Sequence, residues 1–412
     1  MTFNKPILII GAGMSGLSLA QALKQHDIPY RIFERDERPD HRSQGWSMSL
    51  HFCLEPLKQS INPSLYETLP TKASVNPRNH ETEFGLVNGQ TSELMLLVDS
   101  NMLRLANYTT YRINRARFRQ WLLSEINVEW NQRIKCYAAD ENGVTITMED
   151  GTQVEGSILI GADGVNSVVA KQLIGPKKFS STTTVNPVRV LAMLRWVDKE
   201  TYEVYKHFSS TQFMAFGRLE NNETVAMFVT VNDISEDGER YQMLYSLSRY
   251  DPQGLLPLKD TNEDLLKQAK EWSKGFEGAL RQLVMDSPPD TIVTDLKVRE
   301  RSPSEEIRSN SAKGRVTLVG DAAHTMTMFR GEGGNHAILD SMLLFKQILE
   351  VHQGKKSLSD ALNAYLDEMI PRGSKAVFES HQACENTHRS PEMMVNLMKA
   401  LVERAGVKLD DK

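Results

Sequence analysis

The feature that most constrains the fold is an apolar strand pattern at the N-terminus that runs directly into a glycine-rich turn. Pro6–Ile10 is a continuous apolar run, which is typical of a strand covered on both faces of a parallel sheet. The turn Gly11-Ala12-Gly13-Met14-Ser15-Gly16 follows, and Leu17–Gln25 continues with helical spacing. A second short strand, Ile28–Phe33, ends at Glu34-Arg35. This order predicts a strand–turn–helix–strand unit of the dinucleotide-binding kind.

Each residue of this GxGxxG pattern has a physical role. Gly11 makes the tight turn, Gly13 lets a pyrophosphate approach the backbone, and Gly16 lets the helix pack on the strand. Glu34 stands 23 positions after Gly11 (34 − 11 = 23) and can accept hydrogen bonds from ribose hydroxyls. The pattern therefore predicts dinucleotide binding.

Two further apolar strands also enter glycine-containing turns. Ser157–Ile160 precedes Gly-Ala-Asp-Gly-Val-Asn-Ser at 161–167, where Asp163 is either a ligand contact or a helix cap. Val316–Val319 precedes Gly320-Asp321, a loop with glycines at 331, 333 and 334, and a helix from about Asn335 to Val351. Such a loop lets a backbone lie against a flat ligand, and a helix start offers unpaired N–H groups and a positive dipole end.

The residues between the second and third turns have a different character. Val188–Val197, Gln212–Leu219 and Thr224–Val231 are strand-like and predict a second domain built on an antiparallel sheet. Strand alternation puts Arg189 and Arg195 on one face, which suits either a pocket wall or a sheet edge. Beyond them, Leu358–Met369 is a predicted helix that stops at Pro371.

Composition excludes several classes of function. A net charge of -5 gives no reason to expect a nucleic acid or an anionic membrane as partner. Three cysteines (Cys53, Cys136 and Cys384) lie far apart and predict neither a disulfide framework nor a metal site. The apolar runs are too short for a signal peptide or a membrane span, so we expect a cytoplasmic protein.

The three turns in this order resemble those of the FAD-dependent aromatic hydroxylases, the group A flavoprotein monooxygenases, and the ending FRGEGGNHAI is similar to their fungal secondary-metabolite branch. The resemblance spans residues 11–335 and implies an α/β fold of the para-hydroxybenzoate hydroxylase type. In that fold a Rossmann-like FAD-binding domain (residues 1–70, 108–178 and 302–352) is interleaved with an antiparallel-sheet substrate domain (71–107 and 179–301). Helices follow at 353–412.

The resemblance also implies roles for individual residues. Asp163 belongs to a motif linked to both FAD and NAD(P)H, Asp321 contacts the ribityl chain, and Arg189 and Arg195 are possible substrate anchors near Phe213, Phe216 or Phe228. His324, beside the third turn, is either a proton shuttle or a structural hydrogen-bonding group. The implied cofactor-binding set is Gly11, Gly13, Gly16, Glu34, Arg35, Arg115, Asp163, Asp321, Gly333, Gly334 and Asn335.

By the same resemblance, NAD(P)H binds transiently and reduces FAD, O2 adds at flavin C4a, and the hydroperoxide delivers one oxygen to an aromatic, polyketide or indole-type substrate. Hydroxylation, epoxidation and Baeyer–Villiger insertion stay open. Two departures from the family pattern, Ala170 in place of an arginine and Met328 in place of a proline, leave nicotinamide recognition and oxygen placement open.

Other functions on the same fold are a flavin-dependent reductase or oxidase, a halogenase, and a non-enzymatic binding protein. No two tryptophans are two residues apart, as the halogenase motif WxWxIP requires. A binding protein has no need of all three flavin motifs.

Overall fold

The computed structural model describes residues 3–41, 45–79, 82–105, 108–257, 259–312 and 314–404. Its strands are β1 (Ile7–Ile10), β2 (Tyr30–Phe33), β3 (Met48–Leu50), β4 (Phe84–Asn88), β5 (Leu94–Val98), β6 (Tyr111–Ile113), β7 (Val128–Glu129), β8 (Ile134–Ala139), β9 (Val144–Met148), β10 (Gln153–Gly156), β11 (Ile158–Gly161), β12 (Thr184–Asp198), β13 (Gln212–Arg218), β14 (Thr224–Ile234), β15 (Arg240–Tyr250), β16 (Val293–Glu300) and β17 (Val316–Leu318).

Helices connect and cover these strands. They are α1 (Met14–Gln25), α2 (Leu54–Ser60), α3 (Pro63–Glu67), α4 (Leu69–Ala73), α5 (Ser100–Leu105), α6 (Arg115–Leu122), α7 (Val168–Leu173), α8 (Pro176–Thr182), α9 (Lys199–Lys206), α10 (Asn262–Trp272), α11 (Gly278–Met285), α12 (Glu306–Ser309), α13 (Gly333–His352), α14 (Leu358–Arg389) and α15 (Pro391–Arg404). Short 3-10 turns occur at Ser273–Gly275 and Gly320–Ala322.

A parallel sheet forms the centre of the first domain. Its order within the described residues is β17-β11-β1-β2-β7, and every pair in it is parallel. The side chains of β1 are fully or almost fully buried, with α1 against Ile9 on one face and β10 against Leu8 on the other, which explains its uninterrupted apolar sequence. A three-stranded sheet of β8, β9 and β10 stands beside it.

The second domain is a larger sheet in the order β16-β12-β15-β14-β13-β4-β5. All its strand pairs are antiparallel except β13–β4, which is parallel. Strand β4 comes from a segment far before β13 in the chain. Helices α9, α10 and α11 pack on one face, with Tyr202, Trp272 and Leu280 in a shared apolar core. The predicted fold class is confirmed, whereas the residue limits of the two domains stay a prediction.

The predicted end of a helix at Pro371 is wrong. Helix α14 continues through Pro371 to Arg389. The proline removes one backbone donor, but buried side chains hold the helix on both sides of it, Tyr365 and Met369 before it and Ala376 and Val377 after it.

Candidate functional site

The first glycine turn is shaped by close main-chain packing around an open space. Gly11 has φ of 108°, and a Cβ there would lie 2.3 Å from the carbonyl oxygen of Ala162. A Cβ at Gly16 would lie 2.0 Å from the carbonyl oxygen of Gly11. At Gly13, by contrast, a Cβ would have no described atom within 4 Å of it. Two of the glycines are therefore needed for packing, and the third faces room for a ligand.

Glu34 braces this turn from the end of β2. Its carboxylate accepts hydrogen bonds from the backbone N–H of Ala12 at 2.8 Å and of Asp36 at 3.1 Å. The side chain is buried, so the two donors hold it next to the glycines. Arg35, in contrast, is exposed. Their predicted contacts with a nucleotide stay predictions, although Glu34 has a place where such a contact is possible.

Asp163 caps helix α7. Its carboxylate accepts hydrogen bonds from the Ser167 hydroxyl at 2.5 Å and from the backbone N–H of Val168 at 2.7 Å. Burial raises the pKa of Asp163, and these hydrogen bonds oppose that rise. The structural alternative predicted for Asp163 is thus present, and any contact with a cofactor would come in addition to it.

Asp321 presents an acceptor without a partner. Backbone carbonyls of Asp321 and Ala322 accept hydrogen bonds from Arg301, but no hydrogen bond to the Asp321 carboxylate occurs among the described residues. Solvent reaches this side chain, yet the surrounding protein raises its pKa, while Arg115, His324 and Arg301 oppose the rise. A solvent-accessible carboxylate with free acceptor sites suits a polyhydroxylated chain.

Arg115 lies near enough to Asp321 to act on its charge. It is the first residue of α6, a helix whose start is capped by Asn114, which accepts from the backbone N–H of Ala116 at 3.0 Å. A Cβ at Gly45 would lie 3.1 Å from Arg115 Nη1. The arginine that the family pattern singles out is therefore at the same cleft as the third motif.

The third motif continues into the start of α13. A Cβ at Gly334 would lie 2.1 Å from the Met48 methyl carbon, so this glycine allows β3 to pack on the loop, whereas Gly333 has more room. The Asn335 amide accepts from the backbone N–H of His51 at 2.8 Å and donates to the Ser49 carbonyl at 2.9 Å. Because the side chain of Asn335 is used in this way, only the backbone amides of the helix start are left to face a ligand.

A buried ion network supports the third motif, and the sequence reasoning did not assign it. Asp340 Oδ2 accepts from the backbone N–H of Gly320 at 2.8 Å and contacts His324 Nε2 at 2.8 Å, and Asp340 Oδ1 accepts from Arg372 at 2.7 Å. Burial alone would raise the pKa of Asp340, but His324 and Arg372 lower it to about 2. His324 therefore has the structural hydrogen bond that was one of its two predicted roles.

Arg301 is another residue of the site that no sequence pattern indicated. It is buried, donates to the carbonyls of Val165 and Asp321, and lies over the Phe179 ring at 4.3 Å. It thereby ties the second glycine turn to the third. Its contacts are to backbone atoms distant in sequence, so no local pattern could have revealed them.

The two arginines proposed as substrate anchors have other partners. Arg189 forms an ion pair with Asp295 at 2.8 Å, and Arg195 donates to the Asp286 carbonyl at 2.7 Å. Strand alternation puts both on the face of β12 that carries Leu191, which α9, α10 and α11 cover. Their anchoring role stays a prediction, and no described contact favours it.

The predicted phenylalanines divide between the two faces of the sheet. Phe213 belongs to the core under α9–α11, whereas Phe216 and Phe228 lie on the opposite face with Phe329 and Met394. The second group forms an aromatic and methionine-containing surface (Phe216, Phe228, Phe329 and Met394), which is separated by the sheet from Arg189 and Arg195.

The three turns converge because β1, β11 and β17 are adjacent parallel strands, so their carboxyl ends meet at one edge of the sheet. The open space at Gly13, the unpartnered Asp321 carboxylate and the amides at the start of α13 fit an extended dinucleotide with a flat anionic end. Fold and site together define a dinucleotide-binding flavoprotein. A model of the FAD binding domain matches residues 4–380, and the chain belongs to this family, with FAD as its cofactor.

Several known proteins similar to this chain carry the name of a monooxygenase or a hydroxylase. The FAD-dependent monooxygenase thnD of Trichoderma harzianum is 31% identical over 380 residues, covering 90% of this chain and 91% of that protein. HpxO of Klebsiella pneumoniae, crystallised with FAD and uric acid, has a TM-score of 0.72 at 19% identity, covering 97% of this chain and 92% of that one. The 2,6-dihydroxypyridine-3-hydroxylase of Arthrobacter nicotinovorans has a TM-score of 0.71 at 16% identity, covering 94% and 93%.

Among the described residues, no helix has both the length and the apolar character needed to cross a membrane.

Proposed function

We propose that this protein is an FAD-dependent monooxygenase that consumes NAD(P)H and inserts one oxygen atom from O2 into an aromatic or polycyclic small molecule of secondary metabolism. The observation that carries the proposal is the convergence of three glycine turns at the ends of β1, β11 and β17. The family membership and the monooxygenase relatives support the same activity. A cytoplasmic location, where NAD(P)H is supplied, is part of the proposal.

In this proposal the residues of the cleft bind and orient the cofactor. Gly13 and Glu34 hold the ADP half, Asp321 accepts hydrogen bonds from the ribityl hydroxyls, and the amides at 333–335 face the flavin pyrimidine edge. Arg35, Arg115 and Asp163 are further proposed contacts of the cofactor. Bound FAD supplies the redox chemistry, by taking a hydride from NAD(P)H and activating O2.

The substrate is proposed to lie against the surface formed by Phe216, Phe228, Phe329 and Met394. Aromatic rings and a flexible thioether suit a flat apolar molecule, and the enclosing side chains keep water from the reacting atoms. Uric acid bound to HpxO and the dihydroxypyridine of the related hydroxylase are both small rings, which supports an aromatic substrate class.

The decisive experiment measures NAD(P)H consumption by the FAD-loaded protein with a panel of phenols, indoles and polyketide aromatics, and detects products by mass spectrometry. We expect substrate-stimulated consumption and a product heavier by one oxygen atom. Consumption with every candidate but only hydrogen peroxide as product would instead identify an oxidase or reductase. A purified protein without a flavin spectrum would favour a binding protein, and a halogenated product in the presence of halide would identify a halogenase.

An Asp321→Ala variant tests the cofactor assignment in the same assay. Loss of hydrogen bonds to a charged acceptor is expected to weaken FAD binding by roughly 10- to 100-fold. The folded apoprotein is expected to survive, because the carboxylate has no described hydrogen-bond partner to leave unsatisfied. Unchanged FAD affinity would show that the ribityl assignment is wrong.

A further inference from the structure

A second cavity lies away from the cofactor cleft, where the segment after α4, strand β6, helix α9 and the end of β14 meet. Its volume is about 180 Å³, and its lining includes Ser74, Asn76, Arg112, Tyr202, Lys206 and Thr211. None of the predicted cofactor-binding residues lines it. The cavity is smaller than the roughly 300–1,000 Å³ of sites for drug-sized ligands, but several times the volume of one water, about 30 Å³.

Arg112 is a buried cation beside this cavity. Only 7% of it is exposed, and its guanidinium donates to the Ser47 carbonyl at 3.0 Å, to the Ser49 hydroxyl at 3.2 Å and to the Thr230 hydroxyl at 2.9 Å. All these acceptors are neutral. Burial lowers the pKa of Arg112 to about 9, and no carboxylate of the described residues opposes that change. Burying a charge without a counter-charge costs free energy, so buried charges in proteins are usually paired.

The next turn of the chain shows the usual arrangement. Arg117, five residues further along, forms an ion pair with Asp233 at 2.7 Å. Arg112 has no such pair among the described residues, although it is the more deeply buried of the two. Among the described residues, Arg112 at the cavity therefore lacks the acidic partner that the neighbouring Arg117 has.

Further polar groups at the cavity lack partners. In the described residues, Arg112 Nε and the hydroxyl of Ser74 are buried without a hydrogen bond. Lys206, which forms an ion pair with the neighbouring Glu203, also contributes to the lining, and none of the described lining residues is acidic. Asn76 uses its Oδ1 for the backbone N–H of Arg78 and Asn79, which leaves its Nδ2 to donate. Hydrogen-bond donors and the Arg112 guanidinium thus border a space that no acidic side chain of the described residues lines.

The two-stranded β3–β6 ribbon separates this cavity from the flavin loop. Ser49 pairs with Arg112, and Met48 pairs with Ile113, so the members of each pair share one face of the ribbon. Met48 packs on Gly334 of the cofactor loop, which puts Arg112 on the other face. An occupant of the cavity would therefore not compete directly with FAD.

We propose that this cavity is a binding site for a small oxyanion, a carboxylate or a phosphate, which accepts hydrogen bonds from Arg112 and Ser74 and neutralises the buried guanidinium. An oxyanion has the negative charge that the described lining residues lack and the acceptors that the unpartnered donors require. The proposal does not depend on the monooxygenase activity.

The test is calorimetric titration of the FAD-loaded protein with inorganic phosphate and, separately, with benzoate, at constant ionic strength set by chloride. We expect saturable binding of at least one of these anions. The anion that binds more tightly shows whether the site takes a phosphate or a carboxylate. In Ser74→Ala the affinity for that anion is expected to fall roughly tenfold or more, because a hydrogen bond to a charged group is lost. Arg112→Met is expected to abolish binding.

The matched control is Ser18→Ala, which removes another buried hydroxyl without a described partner, on helix α1 and outside the cavity lining. It is expected to bind the anion as the parent does. Ser74→Ala removes an unsatisfied group and should fold, so it keeps the test valid if Arg112→Met does not. No saturable binding of either anion, or equal binding by Ser74→Ala and the parent, would overturn the proposal.

Discussion

At the scale of single residues, the three glycines of the first turn do different work despite their shared motif. Gly11 and Gly16 are pressed against backbone atoms, whereas Gly13 borders open space. The backbone of Gly13 has φ of −83°, which an alanine adopts without strain. A methyl group at position 13 would therefore project into the proposed pyrophosphate position without disturbing the protein.

Gly13→Ala is expected to bind FAD at least roughly tenfold more weakly, about 1.4 kcal/mol, with no loss of apoprotein stability. FAD titration by fluorescence quenching and urea unfolding of the apoprotein measure the two effects. Gly11→Ala is the contrasting variant, since its positive φ and the contact with Ala162 predict a loss of stability. Parental FAD affinity in Gly13→Ala would contradict the proposed position of the pyrophosphate.

The sequence predicted the strand, turn and helix around Gly11 because that pattern is local. Strand, turn and helix lie within a few residues of one another around Gly11, so spacing alone defines the turn. Arg112 and Arg301 could not be predicted, because their partners Ser47, Thr230 and Val165 come from distant segments. The same holds for Asp295, whose ion pair with Arg189 depends on the pairing of β12 with β16.

At the scale of elements, α14 shows how tertiary packing overrides a local helix-breaking signal. Pro371 predicted a helix end, but the helix runs on, and the next residue, Arg372, forms ion pairs with Asp340 of α13 and Glu368 of its own helix. Through Asp340 this contact reaches the backbone of Gly320. Helix α14 thereby supports the turn that carries Asp321.

Arg372→Met is expected to lower the free energy of unfolding by roughly 3–5 kcal/mol, because it leaves the buried Asp340 without its cation. Urea unfolding of the apoprotein measures this change. Arg308→Met is the matched control: its ion pair with Asp367, also on α14, is exposed, so we expect a loss of about 1 kcal/mol or less. Equal losses in the free energy of unfolding in the two variants would show that the buried ion network stabilises the protein no more than an exposed ion pair does.

The ion pair between Asp340 and Arg372 also makes the free energy of unfolding depend on pH. The folded-state pKa of Asp340 is lowered from 3.8 to about 2, so its contribution is present above pH 3.8 and is lost as the pH falls towards 2. In Arg372→Met the pKa of Asp340 is expected to rise, which moves this acid-induced loss to higher pH.

At the scale of the whole molecule, the C-terminal helix α15 closes one side of the proposed substrate surface. Met394 contributes to the same apolar cluster as Phe216 and Phe228, and Glu392 forms an exposed ion pair with Arg218. The helix packs against α14 and β5, and its Met394 shares an apolar cluster with Phe329 of the loop that precedes α13. We therefore expect removal of α15 to change the proposed substrate surface first.

Truncation after Ser390 is expected to leave the FAD content per chain unchanged while the yield of oxygenated product per NAD(P)H falls, because water gains access to the apolar surface. Flavin absorbance gives the first quantity, and product analysis with a peroxide assay gives the second. Glu392→Gln, which removes only the exposed ion pair, should behave like the parent. If the truncated protein gives as much oxygenated product per NAD(P)H consumed as the parent, α15 does not line the substrate site.

The chain passes back and forth between the five-stranded parallel sheet and the seven-stranded sheet. In the described part of the sequence the chain leaves the parallel sheet region for β4 and β5, returns for β6–β11, leaves again for β12–β16 and returns for β17, which makes four crossings. Neither sheet is encoded by one contiguous stretch, so neither can be expressed alone or exchanged between relatives as a cassette. Changes of substrate range in such a protein must therefore arise by substitution at the surface of an intact sheet rather than by replacement of a domain.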